Sequence, residues 1–241
     1  MKKITSTALL AIRLTWKMAL AGFLFPIAIQ TFAVYRWLMP GGVPLQTTFG
    51  YETMLASAVG PYGQFFAAGL LLLLAVCAGL SKGSKTVYTM NRLGLTEMQT
   101  TLVFGGVFSL YFLIYWALQI GLCYAYFAWY TRFGLVSSNA WMLSCWRSEW
   151  LHTLLPLAEW WGYLRNLTIC LSFGFTAAFG SRLLRRGKFP FAVLVPPVLS
   201  LFLLSGRIGT FGTDLLLAVL LIAITAGFFF SVEGGCENED L

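Results

Sequence analysis

Charge is what this chain has least of. Of its 241 residues only 10% are charged, and just nine are acidic. A soluble domain carries about 25% charged residues. Hydrophobic residues make up 59% of the chain, and the mean hydropathy is +0.77. A chain this apolar has too little polar surface to face water, so its solvent is the bilayer.

Histidine and paired cysteine are scarce as well. His152 has no partner ligand near it in sequence, and Cys77, Cys123, Cys145, Cys170 and Cys236 form no C-x-x-C pair. Neither a metal site nor a disulfide framework is expected. An intramembrane enzyme needs grouped bases, nucleophiles or metal ligands. One histidine and no paired carboxylates on a span supply none, so no catalytic residue is assigned.

Long apolar runs are abundant. A helix needs about 20 apolar residues to cross the hydrocarbon core. Six segments qualify: Met18–Leu38, Pro61–Leu80, Leu102–Trp129, Tyr163–Ser181, Phe189–Ser205 and Phe211–Val232. They predict an all-α membrane protein with six transmembrane helices, one transmembrane domain over residues 1–232, and an acidic tail over 233–241. The fifth segment contains Pro196-Pro197 and is expected to kink or break there.

Lys2 and Lys3 precede an apolar stretch, as in a signal peptide, but Arg13 and Lys17 interrupt it. Ile4 to Lys17 reads instead as an amphipathic interfacial helix, with Leu9, Leu10, Ile12, Leu14 and Trp16 on its apolar side. It leads into a retained first span.

The net charge of +7 raises nucleic acid as a partner only until the basic residues are placed. Lys2, Lys3, Arg13, Lys17, Lys82, Lys85, Arg92, Arg182, Arg185, Arg186 and Lys188 fall on one side, and Arg36, Arg132, Arg147, Arg165 and Arg207 on the other. That bias puts both termini in the cytoplasm and assigns the excess charge to loops beside anionic headgroups, not to nucleic acid. Outside, Tyr130 to Gly162 holds Trp141, Trp146, Trp150, Trp160 and Trp161. Such a loop reads as an element lying at the outer headgroup layer, either an aromatic belt or a gate for an amphipathic substrate. Arg36, Arg207 and Asp214 lie near span ends and read as interfacial.

The stretch Gly79-Leu-Ser-Lys-Gly-Ser-Lys-Thr86 imitates a phosphate loop, G-x-x-x-x-G-K-[ST]. Its second glycine falls one place early, at Gly83, and an apolar span precedes it rather than a strand of a parallel sheet. No acidic strand end exists to hold Mg²⁺. Nucleotide binding by this chain is therefore not expected. From Lys85 to Leu93, Val87, Met90 and Leu93 recur every three residues, as on one edge of a short helix. Ser84 is a candidate N-cap and Gly94 a candidate C′ residue. Thr96-Glu-Met-Gln99 fits a capping box that starts the third span.

Six spans with both ends inside, an amphipathic N-terminal segment, and a first cytoplasmic loop reading SKGSKTVYTMNRLGLTEMQ resemble the ABC-2-type permease subunits of bacterial ABC transporters. In that family this loop carries a coupling helix, often followed by an R-L-P/G-x-[ST] turn, which Arg92-Leu-Gly-Leu-Thr96 matches. The resemblance implies an exporter subunit in the bacterial cytoplasmic membrane. It also implies a separate ABC ATPase subunit carrying the ATP and Mg, and a second permease subunit, identical or not. Carried over residue by residue, the ATPase contact is Lys82, Lys85, Val87, Tyr88, Met90, Asn91, Arg92, Leu93 and Gly94. The chain departs from longer family members in lacking a fused nucleotide-binding domain, and its large outer loop lies between spans three and four.

Sparse intramembrane charge suggests an apolar or amphipathic cargo such as a peptide, lipid or drug. Gln30, Thr31, Tyr115 and Gln119 are the candidate polar residues of a translocation path, or else bonds between helices. An ATP-independent secondary transporter and a non-transporting scaffold are the alternatives.

Overall fold

A computed structural model describes residues 2–38, 50–80, 92, 94–132, 140–157, 159–188, 191–204 and 211–234. The described residues are helical, with no strand among them. In chain order the helices are α1 (Lys2–Leu38), α2 (Tyr51–Ala58), α3 (Gly60–Gly79), α4 (Glu97–Arg132), α5 (Ala140–Arg147), α6 (Glu149–Leu154), α7 (Trp160–Arg185), a 3-10 turn (Phe191–Leu194), α8 (Val195–Leu204) and α9 (Phe211–Gly234). Four stretches are long and apolar enough to cross a membrane: Lys3–Leu38, Tyr51–Gly79, Glu97–Arg132 and Trp160–Arg185.

Two expectations about helix boundaries are corrected. The segment Ile4–Lys17 is not a separate interfacial helix; it is the first half of the unbroken 37-residue α1. Nothing between Lys17 and Met18 breaks the helix. Thr7, Ala11 and Thr15, spaced four apart, are buried against neighbouring helices. Their small side chains let α1 come close, and Thr15 returns its hydroxyl to Ala11 O at 2.8 Å. Leu9, Ile12 and Trp16 stay exposed on the other side.

In the fifth apolar segment Pro196-Pro197 does not interrupt a helix. It opens α8, directly after the 3-10 turn. In the first turn of a helix the missing N–H groups have no intrahelical partner to lose.

Packing centres on α7, which lies against α3, α4 and α9, while α1 lies against α3 and α4. The α4–α7 contact is close because both surfaces are small. A Cβ on Gly174 would lie 2.6 Å from Ser109 Cα, so the backbones touch where glycine stands. Ser109 Oγ, bonded to Gly105 O at 2.8 Å, also reaches Leu171 O on α7 at 3.4 Å. Between apolar helices in lipid such small-residue contacts supply the van der Waals attraction that the hydrophobic effect does not. Phe104, Phe108, Phe112 and Phe173 fill the core around this seam.

Candidate functional site

The two ends of the helices carry different chemistry. At one end the C-terminus of α3, the N-terminus of α4 and the C-terminus of α7 meet. There Glu97, the first residue of α4, forms ion pairs with Arg182 at 3.4 Å and with Arg186. Gly94 precedes it with φ +58°, the left-handed conformation that stops a helix and favours glycine. The capping box is made in both directions: Gln99 N donates to Thr96 Oγ1 at 3.2 Å, and Thr96 N to Gln99 Oε1 at 3.3 Å. The Lys3 ammonium is the neighbour that a side chain on Gly94 would meet. The turn leaving residues 81–93 is thereby fixed to α4 and α7.

Of the expected ATPase-contact residues, Arg92 and Gly94 are described, and both are exposed. Lys82, Lys85, Val87, Tyr88, Met90, Asn91 and Leu93 lie outside the described residues, as do Arg207 and Cys236.

The other end contains a buried ion pair that corrects the reading of Asp214 as interfacial and of Arg165 as a basic residue of the outer side. Arg165 Nη1 donates to Asp214 Oδ1 at 2.8 Å, with the two side chains 4% and 2% exposed. Arg165 Nη2 also donates to Thr153 O at 3.0 Å, and Nε to Asn166 Oδ1 at 3.3 Å. Asn166 Nδ2 donates to the same Thr153 carbonyl at 2.7 Å, and Trp116 Nε1 to Leu154 O at 3.0 Å. These carbonyls end the short helix α6, where no further turn donates to them. Side chains of α4 and α7 satisfy them, and that is how a short helix is held among apolar neighbours. Arg36, by contrast, is exposed at the end of α1.

Beneath α6 lies a partly open cavity of about 120 Å³ lined by α3, α4, α6, α7 and the start of α8. Tyr115 and Gln119, two of the four expected path residues, line it together with Trp150, Thr153 and Asn166. Gln30 stands behind Gln119 and donates to its Oε1 at 3.2 Å, leaving Gln30 Oε1 and Gln119 Nε2 without hydrogen bonds. The Tyr115 hydroxyl, an electrostatic neighbour of Gln119, donates to Gly63 O at 2.9 Å. Thr31 pairs with the Tyr126 hydroxyl at 3.0 Å and does not line the cavity.

The tryptophans of the 130–162 stretch divide. Trp146 and Trp160 are exposed, as belt residues are. Trp141 packs on Tyr51, Tyr124 and Phe127. Trp150 turns inward, with its ring where a Cβ on Gly63 would lie, 2.6 Å from Cζ2. No sequence signal distinguished Trp150 from its neighbours. Arg165 and Asn166 had one available: an arginine–asparagine pair one turn into an apolar helix.

Chemically the site can hold and orient, with little to react. Among the described residues no three potential metal ligands cluster. Cys77, Cys123, Cys145 and Cys170 are free thiols, and burial pushes the Cys145 thiol up, away from the nucleophilic form. His152 packs edge-on against Trp146. No protein-family model, no curated protein and no solved structure matches this chain.

Proposed function

We propose that the chain is the membrane-embedded permease subunit of an ABC exporter of the ABC-2 type. In this reading it moves an apolar or amphipathic substrate across the bacterial cytoplasmic membrane. The energy comes from ATP and Mg bound by a separate subunit, and a second permease subunit, identical or not, completes the path. Six spans with both termini inside belong to the same proposal.

The observation that carries it is the joint at Gly94–Glu97. A left-handed glycine, a reciprocal capping box and a carboxylate held by two arginines link the 81–93 loop to α4 and α7. A push on that loop would reach the two most closely packed helices without being absorbed by a slack turn. The loop is then the part that receives motion, and Lys82, Lys85, Val87, Tyr88, Met90, Asn91, Arg92, Leu93 and Gly94 are the ATPase contact.

The test is ATP-driven uptake of a fluorescent amphipathic peptide into inverted vesicles holding the chain and its co-purified ATPase. Uptake is expected to need Mg-ATP and to fall at least about tenfold in Gly94→Val, which puts a β-branched residue at positive φ. Unchanged uptake and unchanged ATPase association in that variant would remove the docking role.

One observation favours a second reading. The buried Arg165–Asp214 pair is the kind of intramembrane charge that ion-coupled secondary transporters use. Uptake driven by a proton or sodium gradient without ATP, and lost in Asp214→Asn, would select that reading instead.

A further inference from the structure

Most polar side chains around the cavity spend their polar atoms elsewhere. Asn166 donates to the α6 carbonyls, Trp116 to Leu154 O, and Tyr115 to Gly63 O. Gln119 accepts from Gln30, while Gln119 Nε2 and Trp150 Nε1 are buried without hydrogen-bond partners. Apart from these and Gln64, the wall is mostly hydrocarbon and sulfur, with Ala67, Phe112, Cys170, Phe173 and Pro197. The room exists because Ala67 and Cys170 are small where the facing residues are aromatic.

Water finds few partners in such a space. A buried water needs two to four polar partners, and the free donors Gln119 Nε2 and Trp150 Nε1 supply at most the lower number; an apolar cavity of roughly 150 Å³ stays dry and takes up benzene. At about 120 Å³, this cavity has room for one ring or a few methylenes. Its volume is too small and its wall too apolar for a headgroup.

We propose that this cavity is a binding site for hydrocarbon, either an aromatic ring or the end of an acyl chain. The shape of the wall agrees with that class. Phe112, Trp116 and Phe173 offer ring faces and edges around the occupant. Pro197, in the first turn of α8, stands where the cavity leaves the helix core. Trp150 closes it from the α6 side. The Arg165–Asp214 pair and Asn166 hold α6 in place by the Thr153 carbonyl; the ion pair shapes the site from outside its wall, and Asn166 is part of the wall. Calling the occupant cargo rests on the transport reading; its binding does not.

The probe is fluorobenzene, followed by ¹⁹F NMR and by the thermal midpoint of the purified full chain. Partition into lipid or detergent rises linearly with concentration, whereas a site saturates. The expected result is a saturable component and a midpoint that climbs with probe concentration. Ala67→Leu fills the cavity and is expected to weaken saturable binding at least about tenfold, a loss of roughly 1.4 kcal/mol. Cys170→Leu fills it from α7 and serves if Ala67→Leu fails to fold.

Two arms separate the sources of hydrocarbon. Saturable binding in phospholipid nanodiscs means that the site is open to a free apolar molecule. Saturable binding in detergent that disappears when phospholipid is added means that an acyl chain occupies it. Absence of saturable binding in both, or binding that folded Ala67→Leu and Cys170→Leu leave intact, overturns the proposal. The measurement uses no ATP and no partner. Bound probe without ATP-driven uptake would defeat the transport reading alone, and uptake without bound probe would defeat this one alone.

Discussion

The two ends of the helices solve the same problem, holding α7 to its neighbours with charge, in opposite ways. At the Asp214 end one arginine and one carboxylate are almost wholly buried, and the arginine's other donors go to a carbonyl and an amide. At the Glu97 end one carboxylate, 39% exposed, serves two arginines, of which Arg186 reaches solvent and Arg182 is 5% exposed. A buried pair gains little against a well-packed apolar pair, yet losing one partner strands a charge. The Glu97–Arg186 pair, which reaches solvent, is screened by water. The first arrangement loses most when one partner is removed, and the second keeps the carboxylate paired when Arg186 is lost.

The comparison is broken most severely at Asp214. Asp214→Asn leaves Arg165 charged among apolar helices and is expected to cost about 3–5 kcal/mol in denaturant unfolding of the detergent-solubilised chain. The paired change Arg165→Met with Asp214→Leu removes both charges and is expected to cost far less. Equal losses in the two variants would mean that packing, not the stranded charge, governs this end.

Gly174→Ala tests whether α7 is fixed by its backbone seam. Its methyl would press on Ser109 Cα at 2.6 Å, and about 1–3 kcal/mol is expected. A neutral result would show that α4 and α7 separate freely.

Gly94→Ala should cost about 1–2 kcal/mol of local stability, the strain of a Cβ in the left-handed region. It is expected to show as faster hydrogen exchange over residues 94–99 with global unfolding unchanged.

Arg186→Gln is placed last. With the Glu97 carboxylate and Arg186 both reaching solvent, and Glu97 still paired with the buried Arg182, at most about 1 kcal/mol is expected. High salt should weaken the wild-type pairing in the same direction. A loss as large as that of Asp214→Asn would erase the contrast between the ends.

How far the sequence anticipates this arrangement depends on the kind of signal. Helix periodicity and capping are local, so the helices and the Thr96–Gln99 box are legible from neighbouring residues. The low charge content makes the bilayer reading equally direct. Partner choice is not local. Arg165 and Asp214 are 49 residues apart, and each alone resembles an interfacial residue near a span end. Only the packing of α7 on α9 turns them into a buried pair. Tyr115 and Gln119 were legible as polar residues on a span, but Thr31 looked the same and pairs with Tyr126 instead. Proline rules marked residues 196 and 197 correctly as disruptive; whether the disruption falls inside a helix or at its start depends on the preceding turn.

The proposal that the 81–94 loop receives motion from an ATPase is tested by a photo-cross-linking residue at position 92 in the full chain, activated in native membranes. The expected product is an adduct with a P-loop ATPase, lost in Gly94→Val and altered in yield by Mg-ATP. Adducts with lipid or with this chain alone, under conditions where transport persists, would contradict it.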